Sequence, residues 1–279
     1  MIARERARPG WPEGAALGVY LAALRLSYRR YRMYGAANVA GLVTNAFFGL
    51  LRSYVFVGLY GQRPAAAGFD LRDAVTYVWL SQAIIMPIYL WGWQEIALTI
   101  RSGDVVTDLA RPFNYFGYWL ARDLGRAGYH LLFRWLPTVL LGVIFFRIRI
   151  PAHPTTWALF AASLLLAIVL SFCLRFAINV SAFWTIDVRG MNGIVLLFVN
   201  FLSGFLVPLA FFPPALRAVC LALPFAGLVS TPLTIFLGQA TGTAALRLLG
   251  QQALWAAVFI AAALALLRVA TRKVVVQGG

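Results

Sequence analysis

The sequence predicts an all-α integral membrane protein with six transmembrane helices, and three observations carry that prediction. Of its 279 residues, 62% are hydrophobic and only 12% charged, with a mean hydropathy of +0.80, whereas a soluble domain is normally about 25% charged. Six runs approach the roughly 20 apolar residues that a helix needs to cross the hydrocarbon core: 37–60, 74–97, 129–146, 156–180, 193–212 and 254–269. The basic residues are also unevenly shared between the two sides these runs define. Seven arginines precede Met33, five lie from Arg101 to Arg134, and Arg189, Arg268, Arg272 and Lys273 fall on the same side; Arg63, Arg72, Arg147, Arg149, Arg217 and Arg247 fall on the other. By the positive-inside rule both termini are cytoplasmic. The formal charge of +15 is therefore a topology signal rather than a nucleic-acid signal.

The chain reads as one transmembrane domain over 1–279, with a cytoplasmic tail and amphipathic helix at 1–36, a six-span core at 37–270 and a cytoplasmic tail at 271–279. In the first part, Leu17, Tyr20, Leu21, Leu24, Tyr28 and Tyr31 recur at helical spacing, flanked by Arg25, Arg29 and Arg32. That pattern suits a helix lying in the inner interface, or else a plain cytoplasmic extension of the first span. The apolar stretch 15–24 runs into Arg25, Arg29 and Arg30 without a small-residue cleavage site, so insertion is expected at the first span.

Between spans two and three, residues 100–112 read as a short polar helix, with a plain inside loop as the alternative. Ser102 and Gly103 let the chain turn, Asp104 occupies the first turn, where a carboxylate favours the helix dipole, Arg111 the last, and Pro112 stops it. Val105, Val106 and Leu109 are its apolar teeth. After span five, Pro213-Pro214 opens a semi-hydrophobic stretch to Gly250, broken by Pro224, Pro232 and Gly238. Its pieces are too short to cross, so we expect two short helices dipping into the outer leaflet.

Several chemistries are excluded. The P-loop needs Gly-x-x-x-x-Gly-Lys-Ser/Thr, yet the single lysine, Lys273, precedes Val274. The nine acids, Glu5, Glu13, Asp70, Asp73, Glu95, Asp104, Asp108, Asp123 and Asp187, fall in expected loops or span ends, leaving an ion-coupled carrier without its carboxylate relay. His130 and His153 lie on opposite sides, and neither His-Glu-x-x-His nor Cys-x-x-Cys occurs, so we expect no metal site. Cys173 and Cys220 do not make a disulfide framework, and without a Gly-x-Ser-x-Gly elbow we expect no catalytic residues. Neutral polar residues do enter the spans. Asn45, Gln82 and Asn200 each lie about eight residues from a span entrance, roughly 12 Å deep at 1.5 Å per residue, with Ser203 nearby. These four are the candidate substrate-path residues, although such groups also bond helix to helix. Arg52, within span one, is expected to snorkel outward.

Taken together, these segments resemble the permease subunits of type-2 ATP-binding-cassette exporters. The resemblance rests on Ile100-Arg101-Ser102-Gly103-Asp104 with Leu109-Ala110-Arg111-Pro112, then Phe183-Trp184 with Asp187-Val188-Arg189-Gly190. Leu202-Ser203-Gly204, Val207-Pro208-Leu209, Phe211-Phe212-Pro213, Leu223-Pro224-Phe225, Thr231-Pro232 and Gly238 complete an ordered set covering nearly the whole chain. Val105-Val106-Thr107 departs from the more acidic run of many relatives. The resemblance implies that Arg101, Asp104, Val105, Val106, Asp108, Leu109 and Arg111 form a coupling helix contacting a separate ATPase subunit, which binds ATP and Mg; this chain itself binds no cofactor. It further implies a second permease, of the same or a different chain, and export of a drug, antibiotic or lipid-like molecule. Residence in a bacterial cytoplasmic membrane follows from the topology and the arginine-rich, alanine-rich composition. A non-transporting membrane assembly or sensor protein is the alternative.

Overall fold

The computed structural model describes residues 13–61, 65–88, 94–185 and 187–273, which are helical apart from turns and one small hairpin. The expected tails up to residue 12 and from residue 274, with Arg4, Glu5, Arg6 and Arg8, lie outside the described residues, as does Arg63. In order, the elements are α1 (Glu13–Arg32), α2 (Gly35–Tyr60), β1 (Ala65–Ala66), β2 (Phe69–Asp70), α3 (Leu71–Ile88), α4 (Glu95–Ser102), α5 (Val105–Ala110) and α6 (Tyr115–His130). A π turn at Leu131–Trp135 joins α6 to α7 (Leu136–Phe146). Then come α8 (Pro154–Val180), α9 (Ala182–Thr185), α10 (Arg189–Leu202), α11 (Pro214–Ala222), α12 (Ser230–Phe236) and α13 (Gly242–Thr271).

Among the described residues, four helical stretches are long and apolar enough to cross a bilayer: Gly35–Tyr60, Tyr115–Phe146, Pro154–Thr185 and Gly242–Thr271. The chain is thus an all-α membrane protein. α3, at 18 residues, and α10, at 14, lie outside that set. α3 is nevertheless the centre of the bundle, buried almost without interruption from Ala74 to Ile88. Its sequence from Ala74 is apolar on most of its circumference, as a helix enclosed by neighbours requires, with Thr76, Ser81 and Gln82 the buried polar exceptions. Around it, α2 turns Val43, Phe47, Tyr54 and Val55 outward, α7 turns Ile144 and Phe145, and α10 turns Ile194 and Leu197. Such faces suit acyl chains rather than water.

Several expected boundaries move, each for a local reason. The run 74–97 belongs to two helices: α3, described to Ile88 with Pro87 inside it, and α4, which begins at Glu95 after a non-helical Gln94 at φ -130 and ψ 17. The helix expected from residue 129 begins at Tyr115, where the Asn114 side chain caps it by accepting from Gly117 N at 2.8 Å. Charged Arg122, Asp123 and Arg126 had broken the apolar run without breaking the helix. The run 193–212 is helical only to Leu202, because Gly204 enters the left-handed region at φ 81 and a 3-10 turn follows at Leu209–Phe211. The run 254–269 belongs to a helix starting at Gly242. The short helices expected after Pro213 are α11 and α12, joined by a 3-10 turn at Pro224–Leu228. The β1–β2 hairpin was not expected.

α1 packs along α6, and Gly125 makes this possible: a Cβ there would lie 2.1 Å from the Leu24 carbonyl oxygen. The inward stripe of α1 has Ala23 and Ser27 buried and Tyr20, Leu24, Tyr28 and Tyr31 half-buried, rotated from the expected one so that Leu17 and Leu21 remain exposed.

Candidate functional site

The segment between α3 and α6 is a two-helix elbow. α4 ends at Gly103, whose φ of 84 places it in the left-handed region that terminates helices at glycine. Asp104 then stands at the N-cap of α5, its Oδ2 accepting from Ser102 Oγ at 2.6 Å. Arg111, in extended conformation before Pro112, ends α5, with its Nε 3.7 Å from Asp108 Oδ1.

The elbow is braced from behind by four other elements. Val105, 3% exposed, sits with Ile96, Tyr115, Phe116, Trp119, Phe172 and Phe176, and Leu109 packs against the same cluster. This corrects the expectation that the apolar teeth Val105, Val106 and Leu109 share one outward face: Val105 is buried and Leu109 half-buried against the chain's own aromatic cluster, which removes apolar area from water and leaves Val106 exposed. Glu95 bridges Arg30 of α1 and Arg122 of α6, each at 2.8 Å. Asn179 of α8 accepts from Ala97 N at 3.0 Å, satisfying one of the free amides at the start of α4. Tyr20 of α1 accepts from Asn114 N at 3.1 Å. Ala97 also packs with Ala182 of α9 and Val188. Asp187, held down to about 2 by the Arg189 side chain and backbone amide that donate to it, also feels the charge of Arg101. The two sequence segments around Asp104 and Asp187 therefore meet. The remaining outward surface carries Arg101, Asp104, Val106 and Arg111, with Asp108 at its edge.

Above the elbow lies a buried charge cluster that corrects the expectation of acids confined to loops and span ends. Asp123 is 3% exposed in α6, and its two oxygens accept from Arg175 of α8 at 3.0 and 2.9 Å while Oδ1 also accepts from Arg126 Nε at 2.8 Å. Arg126 donates in turn to the carbonyls of Met86 and, at 2.9 Å, Pro87; Ser171 donates to Ile88 O at 2.6 Å. These carbonyls belong to the last three described residues of α3 and accept from side chains of α6 and α8. The signal was present in the sequence as Asp123 and Arg126 three apart on a helix face, with Arg175 in an apolar run. A carboxylate serving two guanidiniums explains how three charges can be buried together.

The four path candidates separate. Asn45 and Gln82 come together: Asn45 Nδ2 donates to the Gln82 carbonyl at 3.2 Å, and its Oδ1 accepts from Arg134 at 3.4 Å. Ser203 is fully buried, its Oγ accepting from Phe205 N and its carbonyl from Ser230 N. Asn200 is half-buried, with Oδ1 enclosed and lacking a hydrogen-bond partner among the described residues. Arg52 does not snorkel free; it donates at 2.8 Å to both Phe205 O and Leu206 O and at 3.2 Å to Ser81 Oγ, pinning the turn after α10. Both cysteines are free and buried.

No curated protein matches the chain. A family profile described as "ABC-2 family transporter protein" matches residues 48–278, from within α2 through the end of the described chain, and so includes the elbow, the charge cluster and α10. The chain belongs to the ABC-2 transporter family, as a multi-pass membrane permease component of an ATP-binding-cassette exporter.

Proposed function

We propose that the elbow formed by α4 and α5 is the surface on which a separate ATPase, carrying ATP and Mg, docks and pushes. The single observation that supports this most is the contrast between its two sides. The outward side presents charged residues around one exposed valine, Val106, whereas the inner side is fastened to α1, α6, α8 and α9 by the Glu95 bridges, the Asn179 cap and the aromatic cluster. A load on the outer side reaches the bundle through packed groups with little slack. The chain crosses the bilayer six times with both termini cytoplasmic; α3 and α10 are the two additional crossings, and α11 and α12 dip into the outer leaflet. It sits in a bacterial cytoplasmic membrane and pairs with a second permease, of the same or a different chain.

Cargo is hydrophobic or amphipathic. Of the path candidates, Asn200 keeps that role, since its Oδ1 has no hydrogen-bond partner among the described residues, while Asn45 is engaged with the backbone of α3 at Gln82 and Ser203 holds the turn after α10. The test is co-purification of the ATPase with the permease carrying Val106→Asp and Arg101→Glu. Loss of the ATPase from a permease that still inserts is expected; retention at full stoichiometry would place the dock elsewhere. Export by Asn200→Leu, measured in the assembled complex, tests the path: unchanged transport would remove Asn200 from it.

A further inference from the structure

Two of the helical stretches long enough to cross a bilayer end close together, Gly35–Tyr60 at Tyr60 and Tyr115–Phe146 at Phe146, and α3 starts at Leu71 beside them. That level is a membrane boundary. Between these helix ends lies an open groove of about 360 Å3 lined by Val57, Leu71, Arg72, Val75, Phe146 and Arg147. It adjoins outward apolar surface on both sides, Tyr54 and Val55 on α2 and Ile144 and Phe145 on α7, so acyl chains can enter it from the bilayer.

The charge in this groove is unusual. The acids nearest to it, Asp70 and Asp73, are both taken by Arg149, Asp73 at 2.7 Å. Arg72 and Arg147 form no ion pair among the described residues. Arg72 Nε donates to the Arg147 carbonyl at 2.7 Å, which holds the two residues together and leaves no acid on the terminal nitrogens of Arg72. Arg147 itself occupies the left-handed region, φ 50 and ψ 45, at the C-cap of α7. Glycine usually fills that position. A strained non-glycine residue persists where its surroundings impose it, and such residues cluster at functional sites.

We propose that this groove binds an anionic membrane phospholipid, with the phosphate between the guanidiniums of Arg72 and Arg147 and an acyl chain against Val57, Val75 and Phe146. Guanidinium matches phosphate in both geometry and charge. The apolar wall demands a chain attached to that phosphate. A second copy of this protein seated symmetrically on the groove would face arginine with arginine, which disfavours self-association there.

The experiment titrates the purified protein in detergent with phosphatidylglycerol, phosphatidylcholine or inorganic phosphate and follows thermal unfolding. Phosphatidylglycerol should raise the unfolding temperature more than phosphatidylcholine. In Arg72→Gln/Arg147→Gln the phosphatidylglycerol concentration for half the shift should rise about tenfold. Arg147→Gly, which removes one charge and the backbone strain together, should move the response in the same direction while folding readily. Val57→Trp, which fills the groove and keeps both arginines, should abolish the lipid response. Equal responses to the two lipids, or an unchanged phosphatidylglycerol response in the arginine variants, would overturn the proposal. So would a phosphate response that matches the lipid response and survives Val57→Trp, since it would identify a site for free anions. The measurement needs no ATPase, so its outcome is separate from that of the docking test.

Discussion

At the scale of single residues, neighbouring positions on α5 carry opposite roles. Val105 is buried among aromatic rings and Val106 is exposed, so the same substitution at each should separate folding from docking. Val105→Asp places an unpaired charge in an apolar cluster and should lower the unfolding temperature sharply. Val106→Asp should change stability by no more than about 0.5 kcal/mol while weakening ATPase recovery. Asp123 offers a second test. Asp123→Asn leaves Arg126 and Arg175 buried without their carboxylate, a loss of about 3–5 kcal/mol in such settings, measurable as thermal destabilisation in detergent. Stability within error of the native protein would mean that the cluster is solvated. The segment carrying Asp104 was legible from Gly103 and Pro112, which punctuate it whatever surrounds them. The orientation of Val105 and the full burial of Asp123 were not, because each is completed by a partner on α8, Phe172 and Phe176 for the valine and Arg175 for the carboxylate, more than 50 residues away.

Helix lengths and contacts decide the behaviour of the elements. Long uniform apolar runs were readable, so α2, α8 and α13 lie where hydropathy places them, with shifted ends. α3, α6 and α10 were less so: non-helical Gln94 separates α3 from α4, charged residues hide the first half of the α6 helix from a hydropathy reading, and Gly204 cuts the third. The α1–α6 pairing depends on Gly125, where added bulk meets the Leu24 carbonyl. Gly125→Ala should therefore loosen α1 at a stability loss of about 1–3 kcal/mol. Trypsin cleavage at Arg25 and Arg29 should accelerate; an unchanged cleavage rate would show that the crossing tolerates a methyl group.

At the scale of the whole molecule, one elbow is proposed to join the membrane bundle to an external ATPase. Its topology is tested by cysteines at Pro154 and Arg272, in a background free of Cys173 and Cys220. An impermeant thiol reagent should label the first from outside and not the second, and the reverse pattern would invert every assignment to a membrane side. Composition made the membrane class readable, and arginine placement supplies the orientation that this labelling tests. The bracing of the elbow required three dimensions, since Arg30, Glu95, Arg122 and Asn179 are scattered along the chain and meet only when α1, α4, α6 and α8 pack. The most direct measurement is photo-crosslinking from Val106 in the assembled complex, with Ile144 on the outward apolar face of α7 as the control. The account predicts a crosslink from Val106 to the ATPase and none from Ile144. An ATPase that co-purifies fully yet crosslinks from Ile144 and not from Val106 would contradict it.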